Sequence, residues 1–234
     1  MPQGLTKKQT PLDVPLHSDV HAQFGRFVAS PQTTGADIIW HEGADCAALR
    51  QRLMHQYPAT LWLTGLSGAG KSTIAFALEK ILLERGHSCF VLDGDNLRHH
   101  LNSDLGFLAA DRRENLRRAA EVAHLMNEAG LITIVALISP FANDRAMARQ
   151  IVNTQRFIEV HVSTSTELCE SRDTKGLYAR ARKGEISEFT GISSPYEKPV
   201  APEIEINTEL CSIEAAAQTL HAYLLANNFI KSNR

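Results

Sequence analysis

Leu61-Trp62-Leu63-Thr64-Gly65-Leu66-Ser67-Gly68-Ala69-Gly70-Lys71-Ser72-Thr73 decides the fold. A short uncharged apolar run enters a glycine-rich turn, and from Ser72 to Glu84 the apolar residues recur at helical spacing. Residues 65–73 match G-x-x-x-x-G-K-[ST], and the motif works only between a strand and a helix, the context found here. Its glycines let successive backbone N–H groups turn inward and form an anion nest at the positive end of a helix. Lys71 is then placed to reach the β- and γ-phosphates of ATP, and the Ser72 hydroxyl to ligate Mg²⁺. Such a loop fixes the nucleotide and leaves the acceptor open, so the rest of the chain must supply it.

Outward from this loop the pattern repeats. Cys89-Phe90-Val91-Leu92 is a second apolar run, ending in Asp93-Gly94-Asp95. Asp111 to Glu128 reads as a long amphipathic helix with Gly130 as its C-cap, and Leu131 to Ile138 as a strand buried on both faces. Phe157 to Val162 and Glu203 to Ile206 are further candidate strands, and Ile213 to Leu225 a closing helix. Strands alternating with helices predict right-handed βαβ units: an α/β fold of the P-loop NTPase type, three layers α/β/α around a mainly parallel sheet.

The 234 residues suit one such domain plus a modest extra segment. Hydrophobic residues make up 44% and charged residues 21%, which excludes a disordered or fibrous chain. A net charge of −2 argues against nucleic-acid binding. The longest apolar stretch, Leu131 to Ile138, is far too short to span a membrane, and the first residues lack the apolar core of a secretory signal. The four cysteines (Cys46, Cys89, Cys169, Cys211) form no CxxC pair or zinc cluster, so reduced, mostly buried thiols in the cytoplasm are expected. Residues 1 to about 36 hold four of the nine prolines and show no period; they read as a flexible arm before a domain spanning 37–234.

Asp93 and Asp95 end the second strand at the sheet edge where ligands bind in doubly wound folds. At i and i+2 both can face one cleft, one organising Mg²⁺-bound water and the other holding an attacking hydroxyl. Arg98, Arg112, Arg113, Arg117 and Arg118 follow closely; guanidinium groups grip phosphate or sulfate oxygens, while Asp111, Glu114 and Glu121 offer ordinary surface partners to some of them. Residues 176–197 read as a mobile lid hinged at Gly176, Gly184 and Gly191, with Arg180, Arg182 and Lys183 placed to close over phosphates and exclude water.

Together these segments resemble the adenylyl-sulfate kinases (APS kinases). The resemblance rests on Ile39-Trp40-His41, the 65–73 loop, Leu92-Asp93-Gly94-Asp95-Asn96-Leu97-Arg98 and Asp104-Leu105-Gly106-Phe107. It continues through Asp111-Arg112-Arg113-Glu114-Asn115-Leu116-Arg117-Arg118, Ile138-Ser139-Pro140-Phe141 and Cys169-Glu170-Ser171-Arg172-Asp173. Lys175-Gly176-Leu177-Tyr178, Phe189-Thr190-Gly191-Ile192 and Pro195-Tyr196-Glu197 complete it. The resemblance implies transfer of the γ-phosphoryl group of ATP to the 3′-hydroxyl of adenosine 5′-phosphosulfate, with Mg²⁺, in a stand-alone kinase forming a homodimer. It implies that Asp95 sits by the acceptor hydroxyl, beside Asp93, and that Arg98, Arg112 and Asn115 hold the phosphosulfate and ribose end. Phe107 and Phe189 match aromatics that enclose the acceptor adenine; Ile138, Ser139 and Lys175 match further contacts, and Ser139 matches a position described as a phosphoserine intermediate. Two departures stand out. Ala69 replaces a serine common in the loop, and His100 replaces a glycine, which bears on the acceptor site if that glycine needs a positive φ.

Overall fold

Strands β1 (Thr60–Thr64), β2 (Cys89–Asp93), β3 (Ile132–Ala136), β4 (Phe157–Val162) and β5 (Ile204–Ile206) form one sheet in the order β2-β3-β1-β4-β5. Every neighbouring pair is parallel. The computed structural model describes residues 46–231; the expected arm at 1–36 and the Ile39–His41 stretch lie outside the described residues. Along the chain the helices are α1 (Cys46–Met54), α2 (Lys71–Glu84), α3 (Gly94–His99), α4 (Ala109–Glu128), α5 (Ala142–Val152), α6 (Thr166–Arg172), α7 (Leu177–Arg182) and α8 (Ile213–Ala226).

Two apolar layers cover the sheet, which is why β1 and β3 are buried at every residue and read as unbroken apolar runs. Leu61, Leu63, Ile132 and Ile134 join one core with Ile74, Leu78 and Leu82 of α2 and Leu220 and Leu224 of α8. Trp62, Leu92 and Val135 point the other way, onto Leu116, Ala119 and Ala123 of α4 and Ala148 and Val152 of α5. Trp62 stacks on Phe157, ring centroids 5.5 Å apart. Side-chain alternation along each strand thus feeds both cores.

The expected strands and long helices are present, with ends displaced by a few residues. β3 is shorter than the Leu131–Ile138 run, because its last residues leave the ladder: the Gly65 N–H and the Thr64 hydroxyl both donate to the Ile138 carbonyl, at 3.4 and 2.7 Å. α4 is capped at Ala129, with Gly130 following at φ +95°. The Asp93-Gly94-Asp95 turn is instead the start of α3, since the Asp93 carboxylate accepts from the N–H groups of Asp95 and Asn96. The first part of the expected lid loop, Leu177–Arg182, is also helical, as α7. Of the cysteines only Cys89 and Cys169 are buried; Cys46 is exposed, Cys211 is half-buried, and all four are free. Among the described residues no helix is long and apolar enough to cross a membrane.

The chain builds outward from β1 to one side through β2 and β3, then to the other through β4 and β5. β1 is therefore the switch point, and a crevice opens beyond its carboxyl end.

Candidate active site

The 65–73 loop leaves β1 at that crevice and runs into α2. Gly65, at φ +149°, has no room for a side chain, because a Cβ there would lie 2.5 Å from the Val162 carbonyl oxygen. Gly68, at φ +76°, would meet the Cys169 carbonyl oxygen at 2.9 Å. The glycines are thus demanded by strands and helices packed beneath the loop, and the chance lysine in a loose turn is not what is seen. Lys71 is 8% exposed and donates to the carbonyls of Gly65 and Leu66 at 2.9 and 2.7 Å. Burial pushes its pKa down to about 8, against smaller opposing effects of Cys169 and Asp93. A phosphate would satisfy that costly cation.

Ser72 Oγ donates to Asp93 Oδ2 at 2.6 Å, while Asp93 Oδ1 caps α3. Hydroxyl and carboxylate oxygens so placed beside a phosphate nest are the hard donors Mg²⁺ takes, with room left for water and phosphate oxygens. The residues fit the ion. Asp95, in the first turn of α3, forms an ion pair with Lys175.

A cavity of about 1610 Å³ runs from the loop across Asp93 and Asp95 to α4 and the 186–190 segment. Ser67, Gly68, Gly70, Lys71, Ser72, Thr73, Asp93, Asp95, Arg98, Phe107, Arg112, Asn115, Ile138, Ser139, Lys175 and Phe189 all line it. Gly65, Leu66 and Ala69 do not. Leu66 packs against Gly191, and the Ala69 carbonyl takes bonds from Thr164 and Thr208 at 3.0 and 3.2 Å. Ala69 is fully buried, so the missing serine hydroxyl would have had no access to a ligand.

At the far end, Arg98 lies over the exposed Phe107 ring, 4.4 Å from its centroid, and donates to the Gly106 carbonyl at 2.7 Å. Arg112 ties three segments together: it donates to the Phe107 carbonyl at 2.7 Å, Thr190 Oγ1 at 2.9 Å and the Glu188 carbonyl at 2.7 Å. Burial, with the Arg112 charge beside it, holds Arg98 below its usual pKa, and burial lowers Arg112 too. Paired cations under this strain are relieved by an anion. Arg117 and Arg118 have the other fate: they are bonded to Glu114, whose carboxyl they pull down to about 2, and Arg118 also to Asp104. Arg113 pairs with Asp144 at 3.5 Å.

Phe189 is buried edge-on against Tyr178, centroids 4.9 Å apart. Ser139 is nearly inaccessible, at φ +40°; its Oγ accepts from Trp62 Nε1 at 3.0 Å and donates to the Leu137 carbonyl at 3.2 Å. His100 sits at φ −133°, so that position does not require glycine. Of the lid cations only Arg180 lines the cavity; Arg182 is bonded to Glu170 at 2.9 and 3.0 Å.

Several contributors carried no independent signal in the sequence. Tyr178 donates to the Ser67 carbonyl at 2.9 Å, and Arg172 donates to Thr208 Oγ1 at 2.9 Å, bracing the loop from below. Tyr178 and Arg172 lie within motifs already noted. Nothing local marks Thr208, which reaches the loop only through the fold.

Comparison with known proteins gives a consistent answer. The family model for adenylylsulphate kinase matches residues 57–207. An adenylyl-sulfate kinase of Shewanella oneidensis is 53% identical over 199 residues, covering 85% of this chain and 97% of the relative. One from Marinobacter nauticus is 52% identical over 198 residues, covering 85% and 100%. Among solved structures, the Mycobacterium tuberculosis APS kinase in complex with AMPPNP and APS is 50% identical, with a TM-score of 0.70, covering 72% of this chain and 98% of that one. With its P-loop, its paired carboxylates and its arginine-walled cavity, this chain belongs to the adenylylsulphate kinase family.

Proposed function

We propose that this chain transfers the γ-phosphoryl group of ATP to the 3′-hydroxyl of adenylyl sulfate, giving ADP and 3′-phosphoadenylyl sulfate, a sulfate-activation step. One observation carries the reading: a single cavity joins the phosphate loop to Arg98, Arg112 and Asn115, with Asp93 and Asp95 between the two ends. Family membership supports it, as does the neighbour solved with an ATP analogue and APS.

In this reading the loop N–H groups and Lys71 hold the β- and γ-phosphates, and Ser72 with Asp93 would hold Mg²⁺. The ion, when bound, neutralises charge on the transferring group. Asp95 orients the acceptor hydroxyl and takes its proton as the new O–P bond forms and the bond to ADP breaks. Lys175, paired with Asp95, keeps that carboxylate at the junction and adds a positive charge beside the phosphates. Arg98 and Arg112 bind the phosphosulfate, and Phe107 and Phe189 form the adenine walls. Ser139 acts by shaping the wall, since its hydroxyl is committed to Trp62 and Leu137; transfer is direct, needing only positioning and charge neutralisation. The same reading takes a cytoplasmic location and a homodimer, for which exposed Phe90 on the edge strand β2 and exposed Leu83 on α2 supply apolar area.

The test is ADP release by the purified protein with Mg·ATP, with and without adenylyl sulfate, beside Lys71→Ala. Acceptor-dependent release that vanishes in the variant, with 3′-phosphoadenylyl sulfate as product, is expected. ATP binding without acceptor-dependent release would replace the reading with that of a nucleotide-binding module.

A further inference from the structure

Asn115 lies on the inner face of α4, 3% exposed, at the wall of the cavity. Its Oδ1 accepts a hydrogen bond from Asn102 Nδ2 at 2.9 Å. In this arrangement the Asn115 oxygen faces Asn102. With the oxygen held by Asn102, the Nδ2 end is the one left for a ligand, so Asn115 meets the cavity as a donor.

Asn102 is fully buried, and its own Oδ1 has no hydrogen-bond partner among the described residues. Its backbone is fixed at both groups: its N–H donates to the Leu97 carbonyl at 2.9 Å, and its carbonyl accepts from Leu105 at 3.1 Å. The segment between α3 and α4 therefore holds this side chain rigidly against Asn115. An orphaned buried carbonyl is a cost that packing alone would remove by substituting an apolar residue. The arrangement makes sense when the donating half of the amide is what is needed.

We propose that Asn102 is a positioning residue for the acceptor: it locks the Asn115 amide so that a donor faces the cavity, selecting a substrate that offers an oxygen or ring-nitrogen acceptor there. The proposal rests on the adenylyl-sulfate reading above, whose phosphosulfate and ribose oxygens are acceptors of this kind. Nothing in the lock touches the nucleotide loop, so its effect belongs to the acceptor KM.

Steady-state kinetics of the full chain with Mg·ATP and adenylyl sulfate test it, using Asn102→Asp, Asn102→Ala, Asn115→Ala and the double alanine variant. An ionised carboxylate at 102 can only accept, so Asn115 would turn over and present its oxygen to an anionic substrate. Asn102→Asp is expected to raise the acceptor KM about tenfold or more with the ATP KM unchanged. The double alanine variant is expected to match Asn115→Ala alone, because Asn102 acts only through Asn115. A wild-type acceptor KM in Asn102→Asp, or alanine effects that multiply in the double variant, overturns the proposal. Should Asn102→Asp not fold, the alanine cycle decides by itself. A wild-type enzyme without acceptor-dependent turnover overturns the adenylyl-sulfate reading and this proposal with it; an active wild type beside unaffected Asn102 variants overturns the proposal alone.

Discussion

Ser72 Oγ lies 2.6 Å from Asp93 Oδ2, and this contact joins the first turn of α2 to the end of β2. The same carboxylate caps α3 through its other oxygen, so one residue serves the proposed ion site and the local fold. The two duties separate by substitution. Asn is as good an N-cap as Asp but a poorer partner for a cation, so Asp93→Asn should leave the melting temperature nearly unchanged. It should raise the Mg²⁺ concentration for half-maximal rate by about 10- to 100-fold. Asp93→Ala should lose the cap as well, costing about 1 kcal/mol of stability. A Mg²⁺ titration that superimposes on wild type would remove Asp93 from the ion site.

Asp95 differs from Asp93 in being largely exposed and in forming an ion pair with Lys175. Its removal should therefore affect chemistry more than binding. Asp95→Asn is expected to lower kcat about a hundredfold or more with the dissociation constant for ATP unchanged. Single-turnover rates and calorimetric titration with an ATP analogue check the two halves, and an unaltered kcat would end the assignment.

Lys71, held at about 8 by burial against an ordinary value of 10.5, makes stability depend on pH in a definite direction. Between those values the unfolded chain binds more protons than the folded one, so this group's contribution to stability rises with pH across that window and is flat below it. Relative to Lys71→Met, the wild type should gain on the order of 1 kcal/mol per pH unit within the window. Chemical denaturation of both proteins from neutral pH upward measures this; a constant difference would contradict the burial argument. Nucleotide phosphates should return the proton, so binding near the lower edge of the window takes up protons from buffer.

Arg112 joins α4 to the Glu188–Thr190 segment through Thr190 Oγ1 and the Glu188 carbonyl. Thr190→Val removes one of them at nearly constant volume. The acceptor KM is expected to rise about fivefold, one hydrogen bond's worth, and proteolysis between Lys183 and Glu188 to accelerate, while ATP affinity holds. Equal cleavage rates in variant and wild type would mean that the segment is anchored elsewhere.

Legibility of this chain follows the range over which each signal acts. β1 and the 65–73 loop were readable because their apolar run and glycine spacing are local, and β4 matches its expected limits, Phe157 to Val162. α5 was not readable: its buried face carries Asp144 and Arg145, the latter bonded to Glu159 at 2.7 Å, so a core-facing stripe reads as polar. α3 hid behind an Asp-Gly pair that is a turn signal unless the aspartate caps a helix. At the site, both carboxylates and two of five arginines fell where spacing put them. The sorting of Arg112 from Arg117 depended on Thr190, which is 78 residues from Arg112 along the chain and invisible to any local pattern.

With β1 at the centre of a sheet that grows first one way and then the other, the enzyme is divisible along a single line. In the proposed reading the phosphate-gripping half draws on α2 and the Thr208 region, and the acceptor half on β2, α3, α4 and the end of β3. Mutations that retarget the second half have to spare Asp93, whose bond to Ser72 ties the two together. The architecture thus lets a lineage change what is phosphorylated without relearning how a phosphoryl group is held.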